Sequence, residues 1–183
     1  ARLAGAHNIP LIEDAACALG ATFQGKPVGS LADISVFSLH PRKFITTGEG
    51  GMITTRDAEL AAFMASFKRF GMEAPGDNRD PWGVFARMGT NYKLSNLQAA
   101  LGVGQMDIFD ELMAHRRAQA LYYIDALRGI PGSDLPETTP GGVHAYQSFC
   151  VFVARRDRIR PRLIERGIEV PIGPSALHRP RAF

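Results

Sequence analysis

A lysine that follows a predicted strand end is the residue whose position best suits chemistry. Residues 37–43 read Phe-Ser-Leu-His-Pro-Arg-Lys, so an apolar segment runs into Ser38 and reaches Lys43 five positions later. A hydroxyl and backbone N–H groups at such a turn can bind a phosphate. A partly desolvated lysine amine can form an imine with an aldehyde and can then transfer protons. Taken alone, Lys43 is equally consistent with a surface lysine in a basic loop.

A carboxylate occupies a comparable position earlier in the chain. Asp14 follows the short apolar run at residues 9–12, which predicts a buried parallel strand. Ligands of open α/β sheets bind at the carboxyl ends of strands, where Asp14 could hold a pyridinium N–H and keep that ring electron-withdrawing. The alternative is that Asp14 caps a helix over residues 15–19.

A glycine-rich turn comes next. Residues 45–51 read Ile-Thr-Thr-Gly-Glu-Gly-Gly, and glycines allow backbone angles and close approaches that side chains forbid. Neither glycine-loop nucleotide motif is present, because no G-x-G-x-x-G follows a strand and no G-K-[ST] occurs. The turn alone therefore does not identify a ligand.

In order and spacing, these segments resemble the DegT/StrS family, the sugar-nucleotide aminotransferases among the fold-type-I enzymes that use pyridoxal 5'-phosphate (PLP). The resemblance rests on Ile-Glu-Asp-Ala-Ala at 12–16, Gly-Ser at 29–30, the 37–43 segment, Thr-Thr-Gly-Glu-Gly-Gly-Met at 46–52 and Asn-Tyr-Lys-Leu-Ser-Asn-Leu-Gln at 91–98. It extends over nearly the whole chain, and the 37–43 segment is its most specific part.

The resemblance implies a role for each motif residue. Lys43 would hold PLP as a Schiff base, Asp14 would pair with the pyridine nitrogen, and Ser38 would bind the phosphate. Asn91 would reach the phosphate of the neighbouring subunit's cofactor, which implies a homodimer with shared active sites. Cys17 stands near the cofactor's phenolic oxygen, where the family usually has Gln or His.

Two further matches concern the substrate side and the helix start. Leu177 and His178 resemble a Leu-His pair that lies towards the substrate in the family. Lys93 replaces the Arg that usually follows Asn-Tyr, a change that the sequence does not explain.

The sequence predicts an α/β architecture, and the resemblance makes it part of a fold-type-I PLP-dependent transferase. We expect residues 1–107 to be the carboxyl-terminal part of the PLP-binding large domain and residues 108–183 to be part of the small domain. Because residues 1–6 read like the last turns of a helix, the sequence looks as though it begins inside a larger fold. The predicted elements are strands at 9–12, 34–37, 51–55, 146–153 and 168–170, and helices after Asp57 and Ser95, at 109–128 and at 158–166.

Composition excludes several classes of protein. The apolar share of 45% and charged share of 21% are those of a globular domain, and a net charge of +3 without a matching motif argues against nucleic-acid binding. No apolar run in the sequence is long enough to span a bilayer, and no signal peptide is recognised. Cys17 and Cys150 stand among apolar residues, which predicts buried free thiols and a reducing cytosol. The histidines lack metal-ligand spacing, so no metal site is expected.

The predicted reaction is a transamination in two halves. An amino acid, glutamate by family resemblance, would give its amine to the cofactor, which would pass it to a keto sugar nucleotide for polysaccharide or glycosylated-metabolite biosynthesis. Two alternatives stay open. One is a PLP-dependent sugar dehydratase, a related enzyme with His at the lysine position. The other is a truncated, non-catalytic homologue.

Overall fold

The computed structural model describes residues 1–74, 76 and 83–173, and it divides the chain into two compact units. The first unit comprises Ala1–Arg117 and Thr138–Gln147; the second comprises Ala118–Glu137 and Ser148–Phe183. The elements in chain order are α1 (Arg2–Ala6), β1 (Ile12–Asp14), β2 (Thr22–Phe23), β3 (Lys26–Pro27), β4 (Ile34–Ser38), β5 (Gly51–Thr55), α2 (Ala58–Phe67), β6 (Met72–Ala74), β7 (Val84–Phe85), α3 (Asn96–Met106), α4 (Phe109–Leu127), β8 (Ser133–Asp134), β9 (Gly142–Val143), β10 (Phe152–Val153) and α5 (Arg156–Glu165).

A three-stranded sheet in the order β1-β4-β5 forms the centre of the first unit. Strands β1 and β4 are parallel, with Asp14 opposite Val36, and β5 returns antiparallel, with Gly51 opposite Ser38. The carboxyl ends of parallel strands lie at the same edge of a sheet. Asp14 and Ser38, the last residues of β1 and β4, therefore share one edge.

Buried side chains of β4 anchor this sheet. Ser35 is fully buried, and Phe37 is nearly so. The Ser35 hydroxyl donates to Oε2 of the Glu13 carboxylate at 2.7 Å. The same Glu13 oxygen accepts the Gly29 N–H at 3.1 Å. Because a buried polar group is costly unless it is hydrogen-bonded, this pairing lets Glu13 lie within the sheet beside Asp14.

Local chemistry explains the tight turn between β2 and β3. Its two residues, Gln24 and Gly25, have φ of 50° and 75°. A two-residue hairpin with positive φ at both positions matches the twist of the flanking strands, and glycine is preferred there. Strand β2 pairs antiparallel with β3 across this turn and also with β9.

The predicted helix starts are confirmed by their caps. The Asp57 carboxylate accepts the N–H groups of Glu59 and Leu60, at 2.8 and 3.0 Å, and opens α2. Ser95 and Gln98 form a capping box that opens α3. In both places a polar side chain satisfies N–H groups that have no partner within the helix.

The predictions of elements near the C-terminus were less accurate. Of the strand expected at 146–153, only β10 exists, and it pairs with β8 within the second unit. Residues 168–170 form no strand, although their apolar pattern predicted one. The short run at 9–12 becomes strand only at Ile12. A short apolar run satisfies the pattern of a strand, but pairing with a neighbour decides where one forms.

The alternative reading of Asp14 as a helix cap is wrong. Residues 15–19 contain a turn rather than a helix, and the Asp14 Oδ1 accepts the Ala16 N–H at 3.0 Å within that turn. A carboxylate that bonds to the backbone two residues on forms an Asx turn. Asp14 therefore orders the backbone that leads to Cys17.

Both cysteines are free thiols, but the prediction that they are buried is wrong. Cys17 and Cys150 are exposed. Each follows apolar neighbours in the sequence, yet Cys17 lies in the turn after β1 and Cys150 in an irregular segment before β10. Because neither residue lies on the buried face of an element, the apolar sequence context does not bring it into the core.

Two kinds of feature are absent from the described residues. No helix among residues 1–74, 76 and 83–173 is long and apolar enough to cross a membrane. Within the same ranges, no three His, Cys, Asp or Glu side chains cluster as metal ligands would.

Candidate active site

The edge of the sheet in the first unit carries two of the five predicted site residues, and two more lie in the segments that leave it. Asp14 ends β1, Ser38 ends β4, and the chain after each strand supplies Cys17 and Lys43. The Lys43 amine donates to the Cys17 thiol across 2.9 Å between Nζ and Sγ. This contact joins the two segments that leave the parallel strands, whose last residues are Asp14 and Ser38.

The loop after β4 is closed by its own backbone. The Leu39 N–H donates to the Gly50 carbonyl at 2.9 Å, and the Thr47 N–H donates to the Leu39 carbonyl at 3.1 Å. A Cβ at Gly50 would lie 2.7 Å from the Thr47 hydroxyl oxygen, so this close approach requires glycine. The glycine-rich turn predicted from the sequence thus closes the loop that carries Lys43.

Ser38 and His40 form the first turn of this loop. The Ser38 hydroxyl oxygen accepts the His40 N–H at 3.3 Å, and the His40 Nδ1 accepts the Arg42 N–H at 3.2 Å. The Lys43 N–H donates to the His40 carbonyl at 2.9 Å. The proton of the Ser38 hydroxyl is not used in its contact with His40, so it can be donated to an anion.

Two glutamines hold the loop, and no local sequence pattern marks either of them. The Gln147 carboxamide accepts the Phe44 N–H at 3.0 Å and donates to the Arg42 carbonyl at 2.8 Å. The Gln105 carboxamide accepts the Thr46 N–H at 3.1 Å and donates to the carbonyl of the same residue at 2.6 Å. Each carboxamide thus bonds to an N–H and a carbonyl of the loop backbone, as a neighbouring strand would.

Arg116 of α4 supports one of these glutamines. Its guanidinium lies over the Phe44 ring, 4.6 Å from the centroid, and donates to the Tyr146 and Gln147 carbonyls at 3.1 and 3.2 Å. Partial burial lowers the pKa of Arg116 from its usual value. It stays a cation at neutral pH, since an arginine titrates far above this range.

Asn91, the fifth predicted residue, lies in a different local setting. It pairs with Arg69 in an isolated antiparallel bridge near the end of α2, and its side chain is exposed. Nearby, the Lys93 amine lies over the Phe70 ring, 4.4 Å from the centroid, which gives this lysine a cation–π partner. Leu177 and His178 lie outside the described residues.

The groups present suit the cofactor that the sequence resemblance implies. PLP offers an aldehyde, a pyridine nitrogen and a phosphate, and the edge carries an amine, a carboxylate and a hydroxyl. Lys43 is half-buried, and within the described ranges no carboxylate lies at ion-pair distance from its amine. A lysine held in this way is available for covalent chemistry instead of being used in a salt bridge.

The chain is similar to several known proteins over most of its length. GDP-perosamine synthase of Caulobacter vibrioides is 40% identical over 169 residues, covering 89% of this chain and 44% of that protein. The crystal structure of S. venezuelae DesV in complex with a ketimine intermediate superposes with a TM-score of 0.88 at 32% identity, covering 99% of this chain and 47% of that one. Helicobacter pylori PseC, an aminotransferase involved in the biosynthesis of pseudoaminic acid, gives 0.88 at 29% identity, with 99% and 49% covered.

The chain spans about half the length of these relatives, so it corresponds to part of a fold-type-I structure. The model of the DegT/DnrJ/EryC1/StrS aminotransferase family matches residues 1–182. The neighbours DesV and PseC and the family as a whole are PLP-dependent. The chain therefore belongs to the DegT/DnrJ/EryC1/StrS aminotransferase family.

Proposed function

We propose that the protein containing this chain is a PLP-dependent aminotransferase that moves an amino group from an amino acid, glutamate, to the keto group of a nucleotide-linked sugar. The observation that carries the proposal is the contact of the Lys43 amine with Cys17, which joins the two chain segments that follow Asp14 and Ser38. Relatives named as GDP-perosamine synthase and as a UDP-4-amino-4-deoxy-L-arabinose–oxoglutarate aminotransferase support the substrate class. The product would enter polysaccharide or glycosylated-metabolite biosynthesis.

Each residue at the edge has a defined task in this proposal. The Lys43 amine holds the cofactor covalently and, once released, moves a proton to or from the reacting carbon. Asp14 binds the pyridine N–H, and the Ser38 hydroxyl donates to the phosphate. PLP, when bound, supplies the electron sink that makes this proton transfer accessible. Cys17 contacts the Lys43 amine and, by the family resemblance, would stand near the phenolic oxygen of the bound cofactor.

We also infer a homodimer in which Asn91 serves the partner subunit's site, in a cytoplasmic protein. The setting of Asn91 supports this, because its side chain is exposed and lies near the end of α2. An exposed polar side chain of this kind is available to a neighbouring subunit. Closed dimers are also the commonest form of soluble oligomer.

Reductive trapping tests the covalent chemistry. The chain is mixed with PLP, reduced with borohydride and digested, and the labelled lysine is identified by mass spectrometry. We expect the label at Lys43 and a loss of labelling in Lys43→Ala. Lys26→Ala is the matched control, because Lys26 is an exposed lysine of β3 and should not affect labelling at Lys43. Labelling spread equally over the lysines would contradict the proposal.

The two alternative functions give different results. A sugar dehydratase would release water from the keto sugar without forming an amino sugar, and by resemblance it would carry His where this chain has Lys43. A non-catalytic homologue would leave Lys43 unlabelled. Incubation with glutamate and a keto sugar nucleotide, followed by product mass spectrometry, separates amination from dehydration. Amination is the outcome that the lysine favours.

A further inference from the structure

The side chain of Gln147 contacts the backbone on both sides of Lys43. Its carboxamide oxygen accepts from the Phe44 N–H at 3.0 Å, and its nitrogen donates to the Arg42 carbonyl at 2.8 Å. The Lys43 N–H itself donates to the His40 carbonyl. The peptide groups that precede and follow Lys43 are therefore both fixed by hydrogen bonds, one of them twice.

The backbone just before Gln147 has an uncommon conformation that other residues hold in place. Tyr146, the residue before it, has φ of 51°, a left-handed conformation that is uncommon for an aromatic residue and is costly unless neighbours impose it. Here the His144 Nδ1 accepts the Tyr146 N–H at 2.6 Å, and the Arg116 guanidinium donates to the Tyr146 and Gln147 carbonyls. These contacts hold the strained backbone and direct the Gln147 carboxamide at the lysine loop.

We propose that Gln147 is a positioning residue that fixes the backbone of Lys43 and thereby directs the Lys43 amine to the site. This inference rests on the proposed function, since it concerns the lysine that would hold the cofactor. A lysine side chain is a flexible four-carbon chain. Its amine is therefore directed to one place only if the backbone that carries the side chain is fixed. The Cys17 thiol fixes the far end of the side chain, and Gln147 fixes the near end.

Glutamine is chemically suited to this task. The contact needs one acceptor for an N–H and one donor for a carbonyl, and a primary carboxamide offers both on adjacent atoms. A glutamate of the same shape would keep the acceptor and lose the donor, because its carboxylate would face the Arg42 carbonyl oxygen. Gln147→Glu therefore removes one half of the contact, and Gln147→Ala removes both halves.

Two measurements on the same variants test the inference. Competitive acetylation, without PLP, compares the reactivity of Lys43 with that of Lys26. Reductive trapping compares the rate at which PLP labels Lys43. For Gln147→Ala we expect faster acetylation of Lys43 relative to Lys26 and about tenfold slower trapping, the effect of losing two hydrogen bonds. Gln147→Glu should fall between this variant and the wild type.

Gln119→Ala is the control, because Gln119 is an exposed residue of α4. It should behave as the wild type in both measurements. Unchanged acetylation and trapping in Gln147→Ala would overturn the inference. So would a rise in acetylation that is equal at Lys26 and Lys43, since that indicates general loosening. If the wild type itself traps no PLP at Lys43, the proposed function fails, and the acetylation ratio still decides whether Gln147 positions the lysine.

Discussion

At the scale of single residues, the contact between Lys43 and Cys17 is the most informative one. A thiol sulfur is a weak acceptor, yet Nζ and Sγ lie only 2.9 Å apart. The family pattern has Gln or His at this position, both of which offer stronger acceptors. Cys17 thus preserves a hydrogen-bonding atom in the place where the amine must be held, with a smaller and less polar group.

We predict that Cys17→Ala slows reductive trapping of PLP at Lys43 by about threefold, the worth of one modest hydrogen bond. Cys17→Ser should retain most of the wild-type rate, because its hydroxyl also accepts a hydrogen bond. The rate is measured by quenching the trapping reaction at intervals and quantifying the labelled peptide.

Cys150→Ser is the matched control for this series, because Cys150 is the other exposed free thiol and belongs to the second unit. It should leave the rate unchanged. A wild-type rate in Cys17→Ala would show that the thiol does not hold the amine.

Sequence reasoning could identify Lys43, Asp14 and Ser38 as candidates because each follows a short apolar run at a fixed spacing. Their meeting at one edge follows from the parallel pairing of β1 and β4. Gln105 and Gln147 could not be found in this way, since their partners lie 59 and more than 100 positions away. No local pattern marks a polar residue whose role is to bind a distant backbone.

At the scale of elements, caps and turns were the most predictable features. Asp57 and Ser95 mark their helices through side-chain chemistry that acts over two or three residues. The strand expected at 146–153 was the clearest failure, because the left-handed backbone of Tyr146 and the contacts of Gln147 replace regular pairing there. Tertiary contacts overrode a local apolar pattern in that segment.

The capping box of α3 also connects to the loop after β4. Gln98, which completes the box with Ser95, donates from its amide nitrogen to the Glu49 carbonyl at 2.9 Å. We predict that Ser95→Ala lowers the free energy of unfolding by about 1 kcal/mol, because an N-cap hydroxyl is lost. Urea denaturation followed by far-UV circular dichroism measures this.

Ser95→Asp is the comparison for this variant, since aspartate also accepts the N–H of the third helical residue. It should stay within a few tenths of a kcal/mol of the wild type. A loss in Ser95→Asp as large as that in Ser95→Ala would show that the cap itself is not what stabilises α3.

At the scale of the whole molecule, α4 passes through the division between the two units, which falls between Arg117 and Ala118. Residues 138–147 then belong to the first unit again. The sequence analysis places one domain boundary near Asp107, and that boundary stays a prediction. A segment that returns to an earlier unit carries no compositional sign, because its assignment depends on contacts alone.

The proposed homodimer predicts complementation between two inactive variants. Lys43→Ala and Asn91→Ala subunits are unfolded together, refolded as a mixture and assayed for amination. If Asn91 serves the partner's site, random pairing makes half of the dimers mixed, and each has one intact site, so activity should recover to about a quarter of the wild-type value. Activity no greater than the sum of the separate variants would contradict shared sites, and light scattering would then report the mass of the complex.

The reach of Gln147 along the chain has a consequence for folding. Its contacts with Arg42 and Phe44 span 105 and 103 residues, whereas β4 and β5 are joined by the adjacent loop. Closing a long loop costs more conformational entropy than closing a short one, and high contact order delays the contacts concerned. The sheet edge can therefore form while Lys43 is still loosely placed, so a late step of folding is also the step that positions the lysine. A mild destabilisation would then slow cofactor capture well before it unfolded the sheet.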